Sequence, residues 1–195
     1  ILESAIVALK NLTNLKKLSL CKQWLIQILD NEDFSDVKFQ LEEFSMVPPY
    51  DITQESLDDK FLKFLQTQQE MRKMLLTEWF GFKVLDHIFQ MPKLNHLTLY
   101  HVPEFGWEGE YVTTNRSIDT FDIKMIYVEP HTNNIQNLLS RVPNVKHIKL
   151  RYINESIGTF MLANLTKIET ISLVHEESEE SVRHIFPQNV VFIHH

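Results

Sequence analysis

The chain has 195 residues, of which 44% are hydrophobic and 23% charged, a composition typical of a globular protein with a self-sufficient core. Its net charge of −7 disfavours nonspecific binding to nucleic acid. With four glycines and neither GxGxxG nor GxxxxGK[ST], the sequence has none of the usual phosphate-binding motifs. The one cysteine, Cys21, excludes a disulfide framework and a zinc site built on cysteine pairs, and favours a cytoplasmic or nuclear location.

The sequence contains no membrane span, because no stretch approaches the roughly 18 consecutive apolar residues that one requires. Its first residues, ILESAIVALKNL (1–12), lack the basic segment of a signal peptide and indicate an amphipathic helix. Since there is no initiator methionine, we expect residues 1–195 to form a single domain of a longer chain.

A short pattern, apolar-x-x-apolar-x-apolar, recurs along the whole chain and predicts one strand per copy. Seven copies lie at residues 15–20, 41–46, 71–76, 94–99, 118–123, 145–150 and 168–173. Their starts are 23 to 30 residues apart, and a degenerate eighth copy begins at Val190. Regular spacing of this kind is the mark of a repeat protein.

Four copies share a longer register, in NLTNLKKLSL (11–20), QMPKLNHLTL (90–99), RVPNVKHIKL (141–150) and NLTKIETISL (164–173). One column of that register holds Thr13, Pro92, Pro143 and Thr166, which predicts a common turn before the strand.

Asn-x-Ser/Thr sequons occur at Asn11, Asn115, Asn154 and Asn164. Because Asn11 and Asn164 occupy equivalent points of the long register, a structural turn explains these two better than glycans do.

Helical patterns separate the strands. SLDDKFLKFLQTQQ (56–69) has a capping-box start at Ser56 and Asp59. Further helices are predicted over 82–91, 134–142, 156–165 and 178–186, with the acidic run 176–180 beginning the last one. The alternation predicts an α/β solenoid of about seven to eight repeats, with parallel strands on the concave face and helices on the convex face.

The strand pattern resembles that of leucine-rich repeats, L-x-x-L-x-L-x-x-N/C, over essentially the whole chain. The long, helix-bearing repeats resemble those of eukaryotic F-box/leucine-rich-repeat proteins, especially divergent insect members, most closely in FLKFLQTQQEMRKMLL (61–76). Two features depart from these families. No F-box is present, and the column usually held by Asn or Cys holds Gln23, Pro49, Trp79, Val102, Ile126, Ile153 and Glu176.

The resemblance implies a substrate-recognition domain of a ubiquitin ligase that carries no catalytic residue. An upstream F-box, outside this chain, would contact a Skp adaptor. The alternative is an interaction scaffold unconnected with ubiquitin, such as a regulatory or immune leucine-rich-repeat protein.

Candidate partner-binding residues are the x positions of the strand pattern, which point outward on the predicted concave face: Lys17, Glu43, Lys73, His96, Thr120 and His147. Each belongs to a pair of adjacent x residues, and along the seven copies the charges of these pairs run plus, minus, plus, neutral, minus, plus and minus. Two explanations stay open: opposite charges stabilise strand pairing, or a mixed-charge surface recognises a protein partner. Neither gives the continuous basic face that nucleic acid requires.

A second candidate is the segment HVPEFGWEGEYVTTNRS (101–117), which has no helical period and carries Phe105, Trp107 and Tyr111. Aromatic residues in an irregular loop are typical of binding hot spots. Alternatively, they fill the core where a helix is missing. The segment VPPYDITQE (47–55) is a weaker candidate of the same kind.

The nine histidines form no HExxH motif. His96 and His147 are predicted to lie two strands apart, about 10 Å, which is too far to share a metal ion. There is no GxSxG motif, and no histidine is placed to activate Cys21. The sequence therefore predicts neither an enzyme nor a bound cofactor or metal.

Overall fold

The computed structural model describes residues 7–31, 37–47, 58–77, 80–101, 113–124, 132–174 and 177–194. The chain divides into two compact units, unit 1 over Ile1–Leu94 and unit 2 over Asn95–His195.

Unit 1 alternates strands and helices. Its elements are β1 Lys17–Cys21, α1 Lys22–Asn31, β2 Glu43–Val47, α2 Asp58–Gln66, β3 Lys73–Leu76 and α3 Phe82–Gln90. Residues 7–10 are also helical. The pairs β1–β2 and β2–β3 are parallel, and their first residues are in register.

Unit 2 repeats the arrangement. Its elements are β4 His96–Leu99, β5 Thr120–Ile123, α4 Thr132–Ser140, β6 His147–Leu150, α5 Glu155–Asn164, β7 Thr170–Leu173, α6 Glu177–Val182, a 3₁₀ turn Arg183–Ile185 and β8 Val191–His194. Its strands pair in parallel and in chain order.

The predicted α/β class is confirmed. Each copy of the apolar pattern, including the degenerate one at Val190, contributes a strand, and the eight described strands alternate with helices as in a leucine-rich-repeat solenoid of about eight repeats. The predicted helices are also present, and the last begins at Glu177, within the acidic run. The curvature and the single domain over residues 1–195 stay predictions.

One helix, α1, was not predicted. It begins at Lys22, directly after the last residue of β1. With no turn between strand and helix, the sequence offers no capping residue that would mark where the periodicity changes. Cys21 ends β1 as a free, half-buried thiol, as expected.

The core lies between the strands and the helices. Within β2, Phe44 and Met46 are buried, whereas Glu43 and Ser45 are only half-buried. The Phe44 ring lies 5.5 Å from that of Phe61 on α2, which shows that the buried side of the strand faces the helices. The opposite side is left open by the helices that the structure describes. Parallel sheets are usually covered on both faces, so an open face calls for an explanation.

Three of the four copies of the long register form a common turn, as predicted. The amides of Leu15, Leu94 and Val145 donate to the carbonyls three residues earlier, at 3.2, 3.4 and 3.1 Å. The two equivalent sequon residues also behave alike. The amide nitrogen Nδ2 of Asn11 donates to the Val7 carbonyl at 3.0 Å, and that of Asn164 to the Phe160 carbonyl at 2.8 Å. Both asparagines therefore make the same contact with the backbone four residues earlier.

Candidate functional site

The six predicted ladder residues each begin a strand, and the structure aligns them within the units. Lys17 lies beside Glu43, and Glu43 beside Lys73. The other three, in unit 2, are aligned in the same way in the order His96, Thr120 and His147. The predicted loop residues Phe105, Trp107 and Tyr111 lie outside the described residues, as does most of segment 47–55.

Two open surfaces follow from this alignment. The unit 1 face consists of the outward residues of β1 to β3: Lys17, Ser19, Glu43, Ser45, Lys73 and Leu75. The unit 2 face consists of the outward residues of β4 to β7: His96, Thr98, Thr120, Asp122, His147, Lys149, Thr170 and Ser172.

The charged residues of the unit 1 face contact one another. Lys17 Nζ lies 2.9 Å from Glu43 Oε1, and Lys73 Nζ lies 4.0 Å from the same oxygen. The hydrogen bond from Lys17 lowers the pKa of the Glu43 carboxyl below its usual value, against a smaller opposing effect of desolvation. In this unit the alternating charges therefore form cross-strand ion pairs, the first of the two explanations above.

The unit 2 face carries a different first row, in which histidine and threonine alternate. His96, Thr120, His147 and Thr170 lie side by side on β4 to β7. The Nδ1 atom of His147 lies 2.9 Å from the Thr170 hydroxyl. Imidazoles and hydroxyls both donate and accept hydrogen bonds, so this row can pair with the polar groups of another chain.

A compact polar cluster fills one end of this face. His96 Nε2 and the Thr98 hydroxyl each lie 3.3 Å from Asp122 Oδ2, and 3.3 Å from each other. Thr98 is only 4% exposed. A catalytic triad needs the two imidazole nitrogens to contact the hydroxyl and the carboxylate separately. Here one nitrogen faces both groups, so the cluster is arranged to fix the Asp122 side chain rather than to activate the hydroxyl.

The second row of the unit 2 face was missed in the sequence. Thr98, Asp122, Lys149 and Ser172 lie side by side, two residues after the first row. The period of two in a strand would have identified them, because they fall between the two apolar residues that end each copy of the pattern.

Basic residues follow directly after two strands of the same face. Lys124 follows β5, and its Nζ lies 5.2 Å from the centre of the Tyr100 ring. Arg151 follows β6 and is exposed. With Lys149, these residues make the ends of β5 and β6 positively charged.

His96 and His147 are separated by the intervening strand β5, as predicted. Across the described ranges, no three His, Cys, Asp or Glu side chains are grouped so as to hold a metal ion.

In that same part of the chain, no helix is both long enough and apolar enough to cross a membrane.

The parallel strands and the alternating helices define an α/β repeat protein, and this fold is consistent with a leucine-rich-repeat solenoid. No model of a known protein family matches the chain, and no curated protein matches it either.

Proposed function

We propose that the chain is a protein-recognition module that binds its partner on the unit 2 face. The observation that supports this most directly is the open face itself. Its residues are polar and, except for the buried Thr98, half-exposed, while the residues alternating with them are buried: Phe121, Ile148 and Ile171 are 0%, 1% and 0% exposed. A rigid sheet thus presents aligned hydrogen-bonding side chains at intervals of about 4.8 Å.

The unit 2 face is favoured over the unit 1 face because the unit 1 charges are already paired. A partner that bound there would have to compete with the Lys17–Glu43 ion pair or leave it in place. The histidines and hydroxyls of the unit 2 row are joined by hydrogen bonds rather than ion pairs, and each imidazole or hydroxyl can form a further hydrogen bond with an incoming chain.

The finer proposal is that this module recruits substrates to a Skp–cullin ubiquitin ligase. Its support is the style of the repeats, which resembles that of F-box/leucine-rich-repeat proteins. In such a protein an F-box outside these residues would contact the Skp adaptor. The second candidate, a scaffold unconnected with ubiquitin, would use the same face without any contact to the ligase.

Co-purification of the full-length parent protein from its own cells, read by mass spectrometry, tests both proposals. The variant Thr120→Arg places a large charged side chain in the middle of the unit 2 face. Thr159→Arg, on the exposed surface of α5, is the matched control. We expect the first variant to lose partners that the wild type and the control retain.

Recovery of the Skp adaptor and a cullin by all three proteins supports the ligase, because the F-box contact is independent of the sheet. Partners recovered without the adaptor support the scaffold. If Thr120→Arg retains every partner and Thr159→Arg loses them, recognition lies on the helices and the proposal is wrong.

A further inference from the structure

Lys149 differs from the other lysines of the strand ladders. Lys17 and Lys73 lie within ion-pair distance of Glu43 on the neighbouring strand. Lys146, just before β6, lies within ion-pair distance of Glu169, just before β7. Lys149 lies between Asp122 and Ser172 in the second row. Yet it forms no ion pair with any residue that the structure describes.

The cause is the orientation of Asp122. Its carboxylate contacts His96 and Thr98 on the far side, on β4, each at 3.3 Å. Only 17% of the Asp122 side chain is exposed, so these contacts hold it away from Lys149. Lys149 therefore lies beside the Asp122 carboxylate, which already contacts His96 and Thr98.

An ammonium in this position favours binding of an anion. Lys149 is half-buried, so part of its hydration shell is lost without a counter-charge in return. Apart from the Asp122 carboxylate, which contacts β4, the described groups next to Lys149 are hydrogen-bond donors or cations. Ser172 lies beside it on β7, and His147 and Arg151 lie two residues before and after it along the chain. An incoming carboxylate would find the Lys149 ammonium and the Ser172 hydroxyl together.

We propose that the unit 2 face binds an extended acidic segment of a protein partner, one of whose carboxylates pairs with Lys149. The inference rests on the proposed recognition function and names the chemistry of the partner. Alternate residues of an extended chain are about 6.6 Å apart, which matches the spacing between the outward residues His147 and Lys149 along β6. A segment with acidic residues at alternate positions therefore fits the strand. A singly charged carboxylate suits the site better than a doubly charged phosphate, because Asp122 carries a negative charge on the adjacent strand.

The test is fluorescence anisotropy with the full chain and a fluorescein-labelled peptide of alternating glutamate and serine, about eight residues long so that it exceeds the length of β6. Matched peptides replace each glutamate by lysine or by phosphoserine. We expect the glutamate peptide to bind and the lysine peptide not to bind.

Three variants test whether a carboxylate of the peptide binds at Lys149. Lys149→Met keeps the length of the side chain, removes its charge and weakens binding of the glutamate peptide about tenfold, the loss of one charge-assisted hydrogen bond. Lys149→Arg keeps the charge and restores binding to within about threefold of wild type. Lys146→Met is the control, since Lys146 is already paired with Glu169 at 3.1 Å, and we expect less than a twofold change. Thermal melts establish that each variant is folded.

If Lys149→Met and Lys146→Met weakened binding of the glutamate peptide equally, the attraction would be a general effect of charge, and the proposed site at Lys149 would be wrong. Tighter binding of the phosphoserine peptide, abolished by Lys149→Met, would overturn the assignment to carboxylates. If no peptide binds, but Thr120→Arg still loses partners in cells, the acidic segment is wrong and the recognition function stands. If both experiments fail, both proposals are wrong.

Discussion

The unit 1 face and the unit 2 face present the same ladder of positions but use it differently. In unit 1, Glu43 receives Lys17 at 2.9 Å and Lys73 at 4.0 Å, so the charges stabilise the strands themselves. In unit 2, Asp122 is held by His96 and Thr98, and Lys149 has no such partner among the described residues. If the proposed function is right, the direction in which the carboxylates point separates stability in unit 1 from recognition in unit 2.

We expect the largest loss of stability from mutations in the buried core, which both units share. Phe44 in unit 1 and Phe121 in unit 2 occupy equivalent buried positions, with 2% and 0% exposure. Either change to alanine should lower the free energy of unfolding by about 3–5 kcal/mol, because it removes a buried ring and leaves a cavity. Urea unfolding measures the loss. Trp24→Ala, at a side chain 45% exposed, is the control and should change stability by less than about 0.5 kcal/mol. A loss near that of the control for only one phenylalanine would mean that the units do not share one kind of core.

A smaller change weakens the fold of unit 2 without touching its face. Asn154 caps α5, and its Oδ1 accepts a hydrogen bond from the Ile157 amide at 2.9 Å. Asn154→Ala should cost about 1 kcal/mol in unfolding free energy and leave binding of the acidic peptide unchanged below the melting temperature. Asn164→Ala, at the other end of the helix, is the comparison variant with a smaller cost. A parallel loss of peptide binding in Asn154→Ala would place part of the binding surface on α5.

The helix layer of unit 1 contains a pH-sensitive position. Burial lowers the pKa of His87 below 6.5, and a hydrogen bond with the Leu65 backbone opposes this only in part. Since the folded state binds the proton less readily than the unfolded state, His87 lowers stability as the pH falls through 6.5 toward its lower folded pKa. Thermal melts of His87→Gln should therefore show a weaker dependence on pH than those of wild type. Identical slopes for the two proteins would contradict the assignment.

We expect the smallest change in stability from removing the ion pair that distinguishes the unit 1 face from the unit 2 face. Lys17→Met removes the ion pair with Glu43, so the pKa of the Glu43 carboxyl should return toward its usual value, as measured by NMR titration. Because the folded pKa is lowered, this pair stabilises the fold above about pH 4.5 and the contribution disappears as the pH falls through the folded pKa. We expect a slight loss of thermal stability at low salt that high salt suppresses.

Lys149→Met is the matched variant in unit 2. Because it removes a charge without a carboxylate partner, it should leave stability unchanged or raise it slightly. A loss equal to that of Lys17→Met would mean that Lys149 is paired within the fold.

Much of the fold was predictable because each repeat contacts mainly its neighbours along the chain. The spacing of Leu15, Leu18 and Leu20, repeated along the chain, was enough to place the strands, and the alignment of Lys17 with Glu43 followed from it. Helix α1 was not predictable from caps, since it has no turn before it. The partner-binding role of Phe105, Trp107 and Tyr111 stays a prediction.

The candidate site was predictable only in part. His96, Thr120 and His147 follow from the strand pattern, but the orientation of Asp122 does not. That carboxylate has Lys149 on one neighbouring strand and Thr98 on the other, and the sequence gives no rule for which it contacts. Side-chain geometry within the face determines which of the two Asp122 contacts. Because Asp122 contacts Thr98, Lys149 has no ion-pair partner among the described residues.

The most direct test of the central claim is photo-crosslinking of the parent protein in its own cells. Benzoylphenylalanine would replace Ser172 on the unit 2 face, Ser45 on the unit 1 face or Thr159 on α5, one at a time. We predict a discrete protein adduct from position 172, and weaker or no adducts from positions 45 and 159. An adduct from position 159 alone, or equal adducts from positions 45 and 172, would contradict recognition by the unit 2 face.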